Sequence, residues 1–283
     1  MTKTVLIVGA SSGIGYGLAR EFCLRGYKVY AGSRNVSKMD PLKELGCFTF
    51  SLDITSKESI DNAKELILKD NGGIIDILYL NAGITAKGTL FDIDMDLVES
   101  CFRTNVFGPL MVLQSFHKLL VDQESTVVFT SSIVLHTQAP FLYPYTASKT
   151  SFDLLARQLA VEAGKLGIKI VNIRTGAIES EIWAAPYVPP KGSIYYIDGE
   201  SIGESISPNK TPADIYSKRV VDDIERAISK QRVYTCVYRG AKSWMAWFVG
   251  QLPFVSVYMP LILRVTKLTS LFDSINKRLR VGK

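Results

Sequence analysis

The sequence predicts an α/β fold: a doubly wound parallel sheet in a single domain, followed by an apolar and amphipathic helical tail. Three observations predict it. Short β-branched apolar runs alternate with helical periodicity from Thr4 to Tyr238, the pattern of parallel strands joined by crossover helices. The first run, Thr4 to Val8, passes straight into Gly9-Ala-Ser-Ser-Gly13-Ile-Gly15 and then into a helical pattern that closes at Arg25-Gly26. Beyond Tyr238 the alternation stops, and a long uncharged segment with basic flanks takes over.

The glycine turn comes first. Glycines let a backbone turn tightly and approach a phosphate, while the amides at the following helix N-terminus point at the anion. The same residues also fit G-x-S-x-G, with Ser11 as a nucleophile on a strand-to-helix elbow. An esterase or lipase of that kind needs an acid and a histidine in relay, and only His117 and His136 are available. The second strand, Lys28 to Gly32, is followed by Ser33-Arg34. An acid at that position would bind an adenosine ribose and repel a 2′-phosphate; its absence, with the guanidinium fork of Arg34, favours NADP(H).

A third strand, Cys47 to Leu52, leads into Asp53-Ile54, placed to meet an adenine edge or to serve as a turn and cap residue. A helix over Lys57 to Lys69 precedes the fourth strand, Asp76 to Leu80, which opens into Asn81-Ala-Gly83. The next helix carries Asn105-Val-Phe-Gly108. An Asn amide in an apolar stretch must be satisfied, so Asn105 is a core hydrogen-bond bridge, a holder of a relay water, or both.

The apolar run Val127-Val128-Phe129 leads to Ser132 in the loop after it, and a helix is expected over Thr146 to Leu166. Tyr145 and Lys149, four residues apart at its head, project from one face about 6 Å apart along the axis. A phenol with a pKa of about 10 transfers its proton poorly at neutral pH, and an ammonium in reach lowers that pKa. Tyr143 has Ala147 at the same spacing and gains no charged neighbour. Ser132 is then placed to hydrogen-bond a carbonyl oxygen beside the tyrosine. A strand over Ile168 to Arg174 follows, and residues 181–212 lose periodicity and collect prolines, glycines and tyrosines, as a lid or binding segment does. Thr211-Pro212 opens a helix to about Ser229, and Arg232 to Tyr238 reads as the last strand.

With 283 residues, 47% of them apolar and 21% charged, a substantial core is available. The four cysteines are far apart and form no CxxC, which indicates reduced thiols in a reducing compartment. Two histidines without cysteine clusters give no zinc site. The strand begins too near Met1 for a cleavable signal peptide, so the sequons at Asn35 and Asn209 are expected to be unused. From Arg239 to Lys283 there are eight Lys or Arg against the single acid Asp273, a net +7; the first 238 residues hold 25 basic and 26 acidic groups, −1. Such a tail points to anionic membrane surfaces rather than nucleic acid.

Taken together these motifs resemble the short-chain dehydrogenase/reductase family from about Thr4 to Tyr238. The resemblance implies a Rossmann-like fold and a catalytic tetrad of Asn105, Ser132, Tyr145 and Lys149. It implies pyrophosphate contacts at Gly9, Ser11, Ser12, Gly13, Ile14 and Gly15, adenine contacts at Asp53 and Ile54, and Asn81 and Gly83 beside the ribose. Arg34, Tyr145, Lys149 and Ile178 complete the NADP(H) site, with Ser180 at the nicotinamide carboxamide. Val8 and Thr175 depart from the family's usual Thr and Pro, weakening local turn rigidity. Within the family, Arg34, the Asn105 segment, Val237-Tyr-Arg-Gly240 and the apolar tail are most similar to fungal NADPH-dependent 1-acyldihydroxyacetone-phosphate reductases, then to hydroxysteroid dehydrogenases. The implied activity is NADPH-dependent reduction of a lipid ketone; a complete tetrad argues against a regulator without turnover.

Residues 1–238 are thus expected to form the catalytic domain, with 181–212 as its substrate lid, and residues 239–283 a membrane-associating tail. Ser243 to Leu263 is uncharged over 21 residues, about 31 Å as one helix, but Gly250, Gln251, Pro253 and Pro260 oppose one uninterrupted span. Downstream, Leu261, Val265, Leu268, Phe272, Ile275 and Leu279 recur at helical spacing among basic residues. An amphipathic helix lying in an interface is favoured, with Trp244 and Trp247 at headgroup depth, over a helix pair packed on the substrate mouth or a true span. The expected partners are a lipophilic substrate and the surface of the endoplasmic reticulum or a lipid droplet, the catalytic domain facing the cytosol; a homo-oligomer is admitted.

Overall fold

Strands covered by helices on both sides are apolar in both directions, and the runs of this sequence form a single parallel sheet of that kind. The computed structural model describes the chain apart from residues 1, 138, 181, 183–185, 199–200, 202–209, 252–254, 266–267 and 282–283, and apart from the side chains at 255–257, 261, 265 and 281. The strands are β1 Thr4–Val8, β2 Lys28–Ser33, β3 Phe48–Ser51, β4 Ile77–Leu80, β5 Thr126–Ser132, β6 Lys169–Thr175 and β7 Tyr234–Arg239. They lie in the order β3-β2-β1-β4-β5-β6-β7, all parallel.

Within β1, Val5 and Ile7 face one apolar layer, Leu6 and Val8 the other. The first layer is completed by α1 (Gly13–Leu24), α2 (Asp40–Glu44) and α7 (Ala213–Ser229), through Leu18, Phe22, Leu42, Tyr216 and Val220. The second is completed by α3 (Lys57–Asn71), α5 (Gly108–Asp122) and α6 (Tyr143–Ala163), through Ile60, Ile67, Phe116 and Phe152. Each fully buried side chain of this size contributes about 1.5–3 kcal/mol. Strand order reverses between β1 and β4, and the crevice outside the carboxyl ends of such strands is where ligands bind.

Element boundaries differ from the sequence expectation in ways that bear on the site. Helix α6 begins at Tyr143 rather than Thr146, because Pro144 falls in its first turn, where a missing N–H costs nothing; it ends at Ala163, and a 3-10 turn continues to Leu166. Ser132 is the last residue of β5, paired with Thr175, and not a loop residue. Between α4 (Met95–Phe102) and α5 the backbone makes a π turn over Arg103–Phe107, with Asn105 inside it.

Among the described residues after β7 are the short helices α8 Ser243–Val249, α9 Val255–Val265 and α10 Thr269–Val281. No helix among the described residues is long and apolar enough to cross a membrane. The amphipathic repeat expected from Leu261 to Leu279 is divided between α9 and α10, residues 266–267 lying outside the described part. Leu268, Leu271 and Ile275 are buried against Phe141, Tyr187, Tyr195 and Ile197. The apolar face of α10 is therefore turned onto the protein. Trp244, Trp247 and Phe248 on α8 stay exposed, at 75%, 48% and 59%. Of the expected lid 181–212, residues 182, 186–198, 201 and 210–212 are described; Gly199, Gly203 and the Asn209 sequon lie outside.

Candidate active site

The glycine turn is packed until only glycine fits. A Cβ on Gly15 would fall 2.0 Å from the Gly9 carbonyl oxygen, and one on Gly9, whose φ is +87°, would fall 2.7 Å from Ala82 Cα. Asn81 fastens the turn: its amide donates to the Gly9 carbonyl at 2.8 Å, and its oxygen accepts from Thr130 Oγ1 at 3.1 Å. Ser12 is the extended cap of α1 and makes no side-chain bond to it. The first helical bond runs from Tyr16 N to the Ser12 carbonyl, so the amides of Gly13, Ile14 and Gly15 have no partner within the helix. They form an anion cradle at the positive end of the helix dipole.

A cleft of about 280 Å³ opens from this cradle. One end is walled by Arg34, Asp53 and Ile54, the middle by Gly9, Ser11, Ser12, Gly13, Ile14, Asn81 and Gly83, and the other end by Ser132, Tyr145, Lys149, Ile178 and Ser180. Gly15 and Asn105 are the two expected site residues outside its lining. Gly15 lies beneath the turn, and Asn105 stands behind the wall. Arg34 is exposed at the end of β2. The Asp53 carboxylate accepts from Thr55 N and Oγ1 at 2.9 and 2.7 Å. Against the cost of burial, these bonds and the Arg34 charge hold it below the usual carboxylate range. Ser180 arches over the turn, its Cβ 3.1 Å from where a Gly13 Cβ would stand.

Strand β5 and helix α6 meet at the reactive end. Ser132 Oγ accepts from Val134 N at 3.3 Å and hydrogen-bonds the Tyr145 phenol. Lys149 Nζ donates to the Thr130 carbonyl at 2.9 Å and lies 4.9 Å from the Phe152 ring centroid. Gly83 lets β4 close on this group: a Cβ there would stand 3.2 Å from Asn105 Oδ1 and 3.4 Å from Lys149 Nζ. Burial pushes the Tyr145 phenol up to about 12, with the Ser132 bond pulling the other way. Burial also draws the Lys149 ammonium down to about 8. The expected net lowering at Tyr145 is thus corrected. Desolvation of the phenolate outweighs the Ser132 hydrogen bond, which leaves Tyr145 in the neutral, proton-donating form.

Asn105 is a core bridge. Its amide donates to the Ile84 carbonyl and to Ser148 Oγ, each at 2.9 Å, and its oxygen accepts from Ile84 N at 2.8 Å. Ser148 Oγ in turn donates to the Tyr145 carbonyl at 2.8 Å. At Thr175 the rigidity expected to be lost is restored by a 2.6 Å hydrogen bond shared with the Tyr216 hydroxyl. The Ser11 relay is not assembled: His117 Nδ1 bonds the Gln114 carbonyl on α5, and His136 Nε2 bonds the Tyr238 hydroxyl.

Sequence reasoning missed the Thr130 carbonyl, which as a backbone group leaves no trace in the side-chain pattern. It also missed Ser148, which stands between Tyr145 and Lys149 and was readable as a polar residue on the buried side of α6. Away from the cleft, Phe141, Tyr195 and Phe272 form an aromatic cluster with ring centroids 5.4 to 6.3 Å apart, packed with α10.

This arrangement has a counterpart in known proteins: a family model described as short chain dehydrogenase matches residues 3–187. The chain is a short-chain dehydrogenase. The dehydrogenase is 34% identical to the short-chain dehydrogenase PC-15 of Penicillium crustosum, over 94% of this chain and 96% of that one. It is 30% identical to the NADPH-dependent 1-acyldihydroxyacetone phosphate reductase of Saccharomyces cerevisiae, over 98% and 94%. Among solved structures it superposes with a TM-score of 0.68 on the alcohol dehydrogenase of the archaeon Thermococcus sibiricus complexed with 5-hydroxy-NADP, at 21% identity over 90% of this chain and 100% of that one.

Proposed function

We propose that this dehydrogenase reduces a lipid ketone, first of all 1-acyl-dihydroxyacetone phosphate to 1-acyl-glycerol 3-phosphate, a step of glycerolipid and phosphatidic acid synthesis. The observation that carries the substrate is the likeness to the yeast reductase, which extends over 98% of the chain and so includes most of the tail. NADP(H) is the cofactor. The residues present fit it: the amides of Gly13 and Ile14 at the helix N-terminus would hold the pyrophosphate, Arg34 the 2′-phosphate, and Ile178 and Ser180 the nicotinamide end, all of them lining the one cleft.

When bound, the reduced cofactor supplies a hydride to the ketone carbon. The chain supplies the rest. Ser132 and Tyr145 donate hydrogen bonds to the ketone oxygen as negative charge develops on it, and Tyr145 then gives up its proton. Lys149, held by Thr130, stabilises the phenolate that this transfer leaves. Asn105 keeps the geometry by tying Ile84 and α6 together.

A second reading within the same family is a hydroxysteroid or retinoid ketone. NADPH oxidation measured with 1-palmitoyl-dihydroxyacetone phosphate, estrone and retinal separates the two. The phosphorylated ketone turning over fastest supports the first reading, and turnover of estrone or retinal alone replaces it.

The same reading puts the enzyme on the endoplasmic reticulum and lipid droplets with its catalytic domain in the cytosol. Exposed Trp244, Trp247 and Phe248 and the net +7 of the tail support an interfacial contact through α8. Flotation with anionic vesicles tests it: the full chain should float and a Trp244→Ser, Trp247→Ser variant should not; equal flotation of both would remove α8 from the contact.

A further inference from the structure

Helix α10 holds the segment that follows the nicotinamide end of the cleft. That segment leaves the cleft at Ile182, which lines it. It returns at Thr211, which donates its N–H to the Ala177 carbonyl at 3.0 Å and accepts from Glu179 N at 3.0 Å. Between these points, residues 186–198 are pinned from two sides. From α10, the Arg278 guanidinium donates to the Ile194 and Tyr196 carbonyls, and Phe272 meets the Tyr195 ring edge-on with centroids 6.3 Å apart. From the loop after β4, which lines the cleft at Ile84, the Asp92 carboxylate accepts from the Thr89 and Ser193 hydroxyls, and Phe91 stacks on Tyr195 at 6.1 Å.

Phe141 joins the two sides. Its φ of +64° lies in the left-handed region, which a bulky side chain adopts only at a cost. Its carbonyl accepts from Gly88 N at 2.9 Å, and its ring stacks on Phe272 at 6.1 Å and meets Tyr195 edge-on at 5.4 Å. Tyr145 follows four residues later, near the start of α6. A backbone held against its preference so close to the proton donor persists because its surroundings over-determine it. Phe272 of α10 is part of those surroundings.

We infer that Phe272 and Arg278 are positioning residues for the ketone: α10 sets segment 186–198 and the Phe141 turn, and through them the approach to Tyr145. The guanidinium is a planar fork of donors, suited to holding two carbonyls of one segment together. The amides of α1 and Arg34 after β2 belong to the cofactor's part of the cleft, so loosening the segment falls on the ketone. The inference rests on ketone reduction at Tyr145 and not on which lipid ketone is taken.

The test compares the full chain with Arg278→Ala, Phe272→Ser and Asp92→Ala, the last loosening segment 186–198 from the side opposite α10. Arg278 is exposed, so its variant leaves the core intact. Each variant should raise KM for 1-palmitoyl-dihydroxyacetone phosphate about tenfold. kcat and the KM for NADPH should stay nearly unchanged, as when binding shared by ground and transition states is lost. Trypsin cleavage after the exposed Lys191, followed by mass spectrometry without any ketone, should speed up about tenfold in the same variants. If the parent protein reduces estrone or retinal in place of the phosphorylated lipid, that ketone takes its place, and the cleavage rate is read without a substrate. Unchanged cleavage or an unchanged ketone KM in Arg278→Ala overturns the inference. So does an equal rise in KM for ketone and NADPH, the mark of a general loss of structure.

Discussion

Lys149 Nζ donates to the carbonyl of Thr130 at 2.9 Å, and Thr130 is two residues before Ser132 on the same strand. One bond therefore sets the register between the helix that carries Tyr145 and the strand that carries Ser132. Both hydroxyls are buried, and Asn105 secures the other side of the helix through Ser148. The relative placement of the two hydroxyls is thus held by a buried lysine.

Burying that cation has a cost that can be read from pH. Its folded pKa of about 8 lies below the ordinary lysine value of 10.5, so between these pH values the unfolded chain binds more protons and stability rises with pH. Lys149→Met should stabilise the protein at pH 7 by up to about 3 kcal/mol while abolishing reduction. The gain should shrink as pH climbs from about 8 towards 10.5. Urea unfolding midpoints at pH 7, 9 and 10.5 check it; a gap that widens with pH contradicts the sign.

Asp153 is the opposite case. It is buried on α6 and accepts from Arg174 Nε and Nη2 at 2.8 and 2.9 Å, Asn172 at 2.8 Å and Arg157 at 3.1 Å. Burial alone would raise its pKa, but these partners hold it below the usual carboxylate range. Its contribution is present above the unfolded value of about 3.9 and is lost as pH falls through the lower folded value. Asp153→Ala, which leaves Arg174 unpaired, should cost about 3–5 kcal/mol at pH 7. The difference from the parent protein should narrow in acid, as thermal unfolding at pH 7 and pH 3 would show.

Arg34 should set the choice between cofactors. Charge-assisted bonds to a 2′-phosphate are worth about 1.5–3 kcal/mol, so Arg34→Leu should lower kcat/KM for NADPH about 10- to 100-fold and leave NADH nearly unchanged. Steady-state kinetics with both cofactors measure this, and equal losses would show that Arg34 does not read the phosphate.

The parts legible in the sequence are those with a local signal. The run Thr4 to Val8 followed by Gly9, Gly13 and Gly15 declares its strand, turn and helix, because each glycine answers a steric demand within a few residues. Tyr145 and Lys149 declare themselves by helical spacing. The direction of the Tyr145 shift was not legible, since it depends on burial by distant segments. The π turn around Asn105 left no pattern, because one extra residue in a helix alters no periodicity strongly enough to see. The tail shows the limit best. The spacing from Leu261 to Leu279 predicts one amphipathic helix where the chain has two, and spacing is the same whether an apolar face meets lipid or Phe141 and Tyr195.

The central claim is that the Tyr145 phenol delivers the proton. Its most direct test is Tyr145→Phe, which keeps the ring and removes only the hydroxyl, assayed by single-turnover NADPH oxidation alongside NADPH binding by fluorescence. Binding should stay near that of the parent protein while ketone reduction falls about 10²- to 10⁴-fold. A variant that binds NADPH and retains most of its turnover would contradict the assignment.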